Sequence, residues 1–301
     1  MSAPLQIIAN FGHQFLGQAA DTSALIQLVA RGKKQGYAVG DWVNVTLTND
    51  TQGAIESIVP RTNLFYRSEF HKQKNLAANI DQVAIVCATE PAFAEELLGR
   101  ALICAQVADI SALIILNKID VADKVEAARE ILSIYPNLNY KIVEVSAHDA
   151  ESVARLEPHF AGKSTLLMGQ SGMGKSSLIN ALIPDVNIKT REISTVLNTG
   201  KHTTTFSRLY HCAFNGLSST IIDSPGFENF GMAQFSVSQI QHAMPEFAPY
   251  LGACKFNNCS HRHEPQCAVL DAIDAGLIHP RRHGFYMRLL EQLEYYDRTA
   301  Y

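Results

Sequence analysis

The sequence predicts an α/β protein in three parts. These are an OB-like β-barrel over residues 1–68, a parallel sheet with helices on both faces over 69–229, and a helical metal-binding region over 230–301. Three observations predict it. About five short β-type runs, with no strong helix among them, fill the first part. Continuous apolar runs then alternate with helix-periodic stretches, the pattern of strands covered on both faces. From Phe230 onward that alternation stops, and cysteines and histidines gather instead.

The chain has 301 residues and is 47% hydrophobic, enough for two or three domains with real cores. No run approaches the ~18 apolar residues of a membrane span. The first six residues lack the basic start and apolar core of a secretion signal, so a cytoplasmic protein without a membrane partner is expected. The net charge of −4 gives no global attraction to nucleic acid; any such contact must use local patches. Of six cysteines, Cys87, Cys104 and Cys212 are scattered, whereas Cys254, Cys259 and Cys267 cluster. In a cytoplasmic chain such clustering points to metal rather than disulfides.

In order, 5–9, 14–18, 23–30, 40–47 and 51–59 read as barrel strands, with a turn at Asn49-Asp50. An SH3-like barrel would read much the same. Arg31, Lys33 and Lys34 sit in a polar loop suited equally to phosphate or to solvent. Arg61, Arg67, Lys72 and Lys74 face only Glu69, which reads as a linker with a basic face. Next come strands at 79–88, 112–116, 141–145 and 164–168. Helices are expected at 93–108, 123–135, 148–160 and 177–183, the last ended by Pro184. The stretch 185–202 is polar and Thr-rich. Strands follow at 206–213 and 217–222, then helices at 271–277 and 282–296, the latter with Arg281, Arg282, His283 and Arg288 as a candidate basic face.

The chemistry centres on Gly169-Gln170-Ser171-Gly172-Met173-Gly174-Lys175-Ser176-Ser177, which satisfies G-x-x-x-x-G-K-[ST] between a strand and a helix. The glycines let backbone N–H groups wrap a polyphosphate. Lys175 reaches the outer phosphates, and the Ser176 hydroxyl suits Mg²⁺. Asn117-Lys118-Ile119-Asp120 ends an earlier strand. A carboxylate at Asp120 accepts two hydrogen bonds from guanine, a donor pair adenine lacks. Asn117 and Lys118 brace that loop, and Ser146-Ala147 fits the loop meeting the guanine oxygen. Asp223-Ser224-Pro225-Gly226 fits a γ-phosphate sensor, with Asp223 holding Mg²⁺ through water and the Gly226 N–H at the phosphate. In Gly200-Lys201-His202-Thr203-Thr204-Thr205, Thr204 is the favoured second Mg²⁺ hydroxyl. GTP or GDP with Mg²⁺ is therefore the expected ligand.

The motif order is unusual. Ordinary G proteins run phosphate loop, switch threonine, D-x-x-G, then N-K-x-D; here N-K-x-D and Ser146-Ala147 come first. The same strands in a rotated order describe a circularly permuted P-loop G domain. The chain leaves that domain just after Gly226, so the C-terminal region is tied to a switch. Phe227 stands where a Ras-like enzyme has its water-orienting glutamine. His202 is a candidate for that role, and intrinsic hydrolysis is expected to be slow.

Cys254-x4-Cys259-x-His261-x5-Cys267 offers three thiolates and an imidazole, a closed tetrahedral set for one structural zinc ion, with His263 a competing ligand. Four protein ligands leave no open position, so the metal is expected to fold the region rather than to catalyse.

These motifs, from Asn117–Asp120 through Gly169–Ser177, Gly200–Thr205 and Asp223–Gly226 to the cysteine set, resemble those of the ribosome small-subunit-dependent GTPase A (RsgA) family along nearly the whole chain. The resemblance favours His261 over His263. It implies a monomeric GTPase that binds the small ribosomal subunit late in maturation, is stimulated by it and leaves on hydrolysis. Its barrel and zinc region would contact ribosomal RNA and proteins. The sequence departs from the family in a short start without a long basic arm and in its acidic balance. A rival reading is a zinc-stabilised RNA-binding protein whose G domain senses GTP without significant turnover.

Overall fold

The alternating runs at the start of the chain close into a barrel. In the computed structural model, residues 3–299 are described apart from 13, 21, 23, 32–35, 70–71, 184–205 and 227. The barrel strands are β1 (Leu5–Asn10), β2 (Gln14–Gln18), β3 (Leu25–Ala30), β4 (Trp42–Asn49) and β5 (Gln52–Ile58). They run β1-β2-β3-β5-β4, and β4 returns to β1 at Leu5↔Val43 and Gln6↔Trp42. Pairing of β3 with β5 is parallel and the rest antiparallel. This is the OB order, not the SH3-like one. Leu5, Ile7, Phe15, Leu28, Tyr37, Val43 and Ile55 fill it as a core separate from the rest of the molecule.

Where a basic linker was expected, the chain is structured. Arg61 grips the fully buried Asp41 through Nε and Nη2 at 2.6 and 2.7 Å, and Asp41 also accepts the Ala38 N–H at 2.7 Å. This guanidinium is a barrel brace, not a free cation. After it, β6 (Leu64–Glu69) and β7 (Lys72–Ala78) form an antiparallel hairpin. The polar sequence of β7 carries little strand signal; its pairing with β6 and the burial of Ala77 and Ala78 hold it extended.

The next sheet strands are β8 (Gln82–Ala88), β9 (Ser111–Asn117), β10 (Lys141–Glu144), β11 (Ser164–Met168), β12 (Ser207–Phe214) and β13 (Leu217–Asp223). Five are parallel in the order β10-β9-β8-β11-β13, and β12 adds antiparallel at the β13 edge. Every residue of β8 is buried, as a continuous apolar run in a two-sided sheet demands. The phosphate-loop strand β11 lies between β8, which precedes it in the chain, and β13, which follows. Helices α1 (Glu95–Val107), α2 (Ala122–Leu132), α3 (Ala150–Ala154), α4 (Glu157–Phe160) and α5 (Lys175–Leu182) cover the faces. The single helix expected at 148–160 is two short ones. Pro158, at the start of α4, has no N–H for the preceding turn. The barrel joins this sheet directly, because β1 pairs with β12 at Ala9↔Arg208 and Asn10↔Ser207.

After β13 come α6 (Val237–His242), α7 (Ala268–Asp274) and α8 (Pro280–Thr299). They share one hydrophobic core with the parallel sheet, through Phe230, Phe247, Tyr286, Leu289 and Leu290. Of the candidate basic face of the last helix, Arg282 is buried, Arg281 and His283 are half-buried and Arg288 is exposed. Arg282 pairs with Glu246, both side chains 3% exposed, and its guanidinium lies 5.6 and 5.2 Å from the Tyr135 and Phe285 rings. Arg281 donates to the Glu130 and Ile131 carbonyls at the end of α2 (3.3 and 3.2 Å), and Arg288 donates to Glu96 at 3.2 Å. These cations close a joint within the chain. No helix among the described residues is long and apolar enough to cross a membrane.

Candidate functional site

The phosphate loop stands where β11 gives way to α5, at the carboxyl end of the sheet, the usual ligand crevice of such folds. Two of its glycines are required by contact. A Cβ at Gly169 would strike the Val86 carbonyl oxygen, and one at Gly174, where φ is 84°, would strike the Asn117 amide. Lys175 is 8% exposed, and its ammonium donates to the Gly169 and Gln170 carbonyls at 2.8 Å each. Those carbonyls occupy it as phosphate oxygens would. Burial lowers its pKa, with the Asp223 charge opposing. Gln170 accepts the Ala94 N–H at 2.7 Å and so ties the loop to the entry of α1. Met173 is buried, while Ser171, Gly172, Ser176 and Ser177 face outward.

The base-side loop is bonded to the phosphate loop rather than merely near it. Asn117, 1% exposed, donates to the Met173 carbonyl at 3.0 Å and accepts the Ala147 N–H at 3.2 Å. Lys118 reaches across to donate to the Gly172 and Glu90 carbonyls, both at 2.7 Å. The Thr89 hydroxyl, at the end of β8, donates to the Lys118 carbonyl at 2.8 Å. Ile119 donates its N–H to Val145 at 3.3 Å, tying this loop to the one bearing Ser146. Asp120 is exposed, and a hydrogen bond from Ser146 holds its carboxyl below the usual carboxylate range, so it stays ionised. Ser152 in turn accepts the Ser146 N–H at 2.9 Å. Thr89 and Ser152 belong to no motif and were not anticipated. Their only sequence signal is position: Thr89 directly follows a buried strand at its carboxyl end.

Asp223 ends β13 with 5% exposure, and its Oδ1 has no hydrogen-bond partner among the described residues. Burial pushes its carboxyl up to about 6, opposed by the charges of Lys175 and Arg208. A deeply buried, unpaired carboxylate oxygen is costly unless a cation or donor meets it. The chemistry of this oxygen, within reach of the Lys175 charge, fits hydrated Mg²⁺. Gly226 approaches the loop closely: a Cβ on it would sit 3.0 Å from the Ser171 nitrogen. His202, Thr204 and the other residues of Gly200–Thr205 lie outside the described residues, as does Phe227.

In the C-terminal region, donor atoms of Cys254, Cys259, His261 and Cys267 all lie within 4.8 Å of one another. The Cys254 and Cys267 sulfurs are 3.8 Å apart, and the His261 Nδ1 is 3.6 and 3.3 Å from them. A tetrahedron with metal–sulfur bonds of about 2.3 Å has edges close to these, so the set could hold one metal ion. His263 is exposed and outside the cluster. The surrounding loop is braced. Glu264 accepts the N–H groups of Ser260 and Arg262 at 2.7 and 2.8 Å, which holds its carboxyl far below the usual range, and His283 Nε2 donates to the His261 carbonyl at 2.7 Å.

Comparison with known proteins gives one answer. Residues 58–233 match the RsgA GTPase family. The small ribosomal subunit biogenesis GTPase RsgA of Paraburkholderia phymatum is 48% identical over 288 residues, covering 95% of this chain and 90% of that protein. Its counterpart in Ralstonia pickettii is 48% identical over 291 residues, covering 96% and 92%. Among solved structures, YjeQ from Thermotoga maritima is similar with a TM-score of 0.72 at 26% identity, covering 97% of this chain and 98% of that one. YloQ, described as a circularly permuted GTPase, gives 0.70 at 27% identity, covering 99% and 96%.

Proposed function

The chain belongs to the RsgA GTPase family, and from that membership we propose that it is a late maturation factor of the small ribosomal subunit, activated by the subunit and released when GTP becomes GDP and phosphate. It is a GTPase with a circularly permuted nucleotide domain. One observation carries the reading furthest. Asn117 bonds the phosphate loop and the guanine-side loop together at 3.0 and 3.2 Å, so one rigid crevice presents Lys175 to phosphates and Asp120 to a base.

In this reading Lys175 exchanges its two loop carbonyls for phosphate oxygens, and Gly169 to Ser177 supply N–H groups around the chain of phosphates. Asp120 reads guanine, braced by Asn117, Lys118 and Ile119, with the Ser146-Ala147 backbone at the guanine oxygen. Ser176, Thr204 and Asp223 are the residues assigned to Mg²⁺, which when bound neutralises charge developing on the phosphates. Gly226 meets the γ-phosphate, and His202 is assigned to the water. Zinc is assigned to Cys254, Cys259, His261 and Cys267 as a structural ion, because a closed set of three thiolates and an imidazole suits a soft, redox-inert cation. The barrel and the zinc region contact ribosomal RNA, and the protein works in the cytoplasm as a monomer.

The test is GTP hydrolysis by the purified protein alone, with small subunits and with large subunits. Strong stimulation by small subunits only, abolished by Lys175→Ala, is the expected result. Phe227 in place of a water-orienting glutamine favours one second reading, an RNA-binding protein that senses GTP without significant turnover. Tight GTP binding with no stimulation by either subunit would support it.

A further inference from the structure

The barrel meets the nucleotide site along one face of one sheet. In the antiparallel ladders, Arg208 lies opposite Asp223 on one side and opposite Ala9 on the other. Residues directly opposite leave the same face of a sheet, and so do residues two apart along a strand. Asp223, Arg208 and Ala9 therefore share a face, and the same alternation carries to Phe206, two residues before Arg208, and Phe11, two residues after Ala9. The contacts agree with the register. The Phe11 and Phe206 rings pack with centroids 5.0 Å apart, and the Arg208 guanidinium lies 5.9 Å from the Phe11 centroid. Phe11 is itself fixed, because its N–H donates to the Gln14 carbonyl at 2.9 Å and closes the β1–β2 turn.

We propose that Arg208 is a positioning residue of the GTPase site and that the barrel's Phe11 sets its place. Asp223 is buried, with one oxygen unpaired among the described residues, and Arg208, its register partner on the same face, bears on how that carboxylate meets Mg²⁺ and phosphate. The ring of Phe11 orients the guanidinium by a cation–π contact, and Phe206 packs against that ring. An element outside the nucleotide domain thereby contributes to the geometry of its reacting end. The same joint gives barrel-bound RNA a short physical route to the phosphates: ring, guanidinium, carboxylate. This inference rests on the GTPase reading above but not on the identity of the activating particle.

The experiment is single-turnover GTP hydrolysis, without and with small subunits, alongside the GDP dissociation constant and the melting temperature. Phe11→Ala is expected to lower the unstimulated rate about tenfold, the scale of one partly desolvated cation–π contact, with GDP affinity within about twofold. Phe11→Tyr keeps a ring at the same place and should restore the rate; a packing role alone would be met as well by Phe11→Leu. Arg208→Ala should match Phe11→Ala, and the double variant should be no slower than either, because both act through one contact. A Phe11→Ala or Arg208→Ala protein that is folded and hydrolyses GTP at the wild-type rate overturns the inference, as do losses that add in the double variant. A wild type indifferent to small subunits, but still slowed by Phe11→Ala, removes the subunit-activated reading and leaves this one standing.

Discussion

Asp223 combines deep burial with an oxygen that has no partner among the described residues, so its protonation governs what the site can bind. Its folded pKa of about 6 lies above the ~3.9 of an unfolded aspartate. Between those values the folded chain holds a proton that the unfolded chain has released. In the nucleotide-free protein this contribution to stability is therefore full at low pH and lost as pH rises through about 6. Magnesium needs the ionised form, so Mg²⁺-dependent GDP affinity should rise across the same window and level off above it, as titration calorimetry at several pH values would read. Asp223→Asn should flatten that profile, and a profile unchanged by the substitution would contradict the assignment. Asp120 supports a specificity prediction. Asparagine offers an amide donor where guanine's amine needs an acceptor, so Asp120→Asn should weaken GTP binding by about a hundredfold, the scale of two charge-assisted bonds. Binding of the xanthine nucleotide, which carries a carbonyl at that place, should improve. Most residues proposed for the nucleotide could be read from the sequence because that chemistry demands fixed types at fixed spacing. Thr89 and Ser152 could not, since a hydroxyl donating to a carbonyl in another loop leaves no local pattern.

At the scale of elements, buried strands announced themselves as apolar runs, and β11 falls where the sequence placed it, at 164–168. The hairpin of β6 and β7 did not, since Lys72–Ala78 is a strand by pairing and not by propensity. Charge was the least legible property. Arg61, Arg281, Arg282 and Arg288 look from the sequence like basic faces, but each has an acid or carbonyl partner within the fold. Charge on one element cannot reveal a partner supplied by a distant one. The joint between α1 and α8 shows how tightly such partners are set. A Cβ on Gly99 would come within 2.7 Å of the Phe285 ring, so Gly99→Ala should destabilise the protein by roughly 1–3 kcal/mol in denaturant titration, the usual cost of overpacking. Glu246→Ala should cost more, roughly 3–5 kcal/mol, because it strands the buried Arg282 charge. Replacing both partners by apolar residues of similar volume should recover most of that loss, and failure to recover would show that the pair does more than neutralise itself.

At the scale of the whole molecule, the described residues form two apolar cores of unequal size, a small one inside the barrel and a large one running from the parallel sheet into the C-terminal helices. Calorimetry should therefore resolve two transitions rather than one. Chelation of the metal, or Cys267→Ser, should lower the transition of the large core and leave the barrel's nearly in place; equal shifts of both would contradict the division. The sequence indicated the metal cluster but not this sharing of a core, because helix periodicity shows that a face is buried without naming what buries it. The strand order has a consequence for synthesis on the ribosome. The barrel strands emerge first, with a core of their own, and the Asn117–Asp120 loop follows early. Yet β11 rests between β8 and β13, so the crevice is not whole until Asp223 has left the exit tunnel. For most of its translation the nascent chain carries the barrel strands and an incomplete sheet, and the crevice is completed only as its last third appears. Guanine nucleotide would thus act late, as a ligand that seals an assembly already under way.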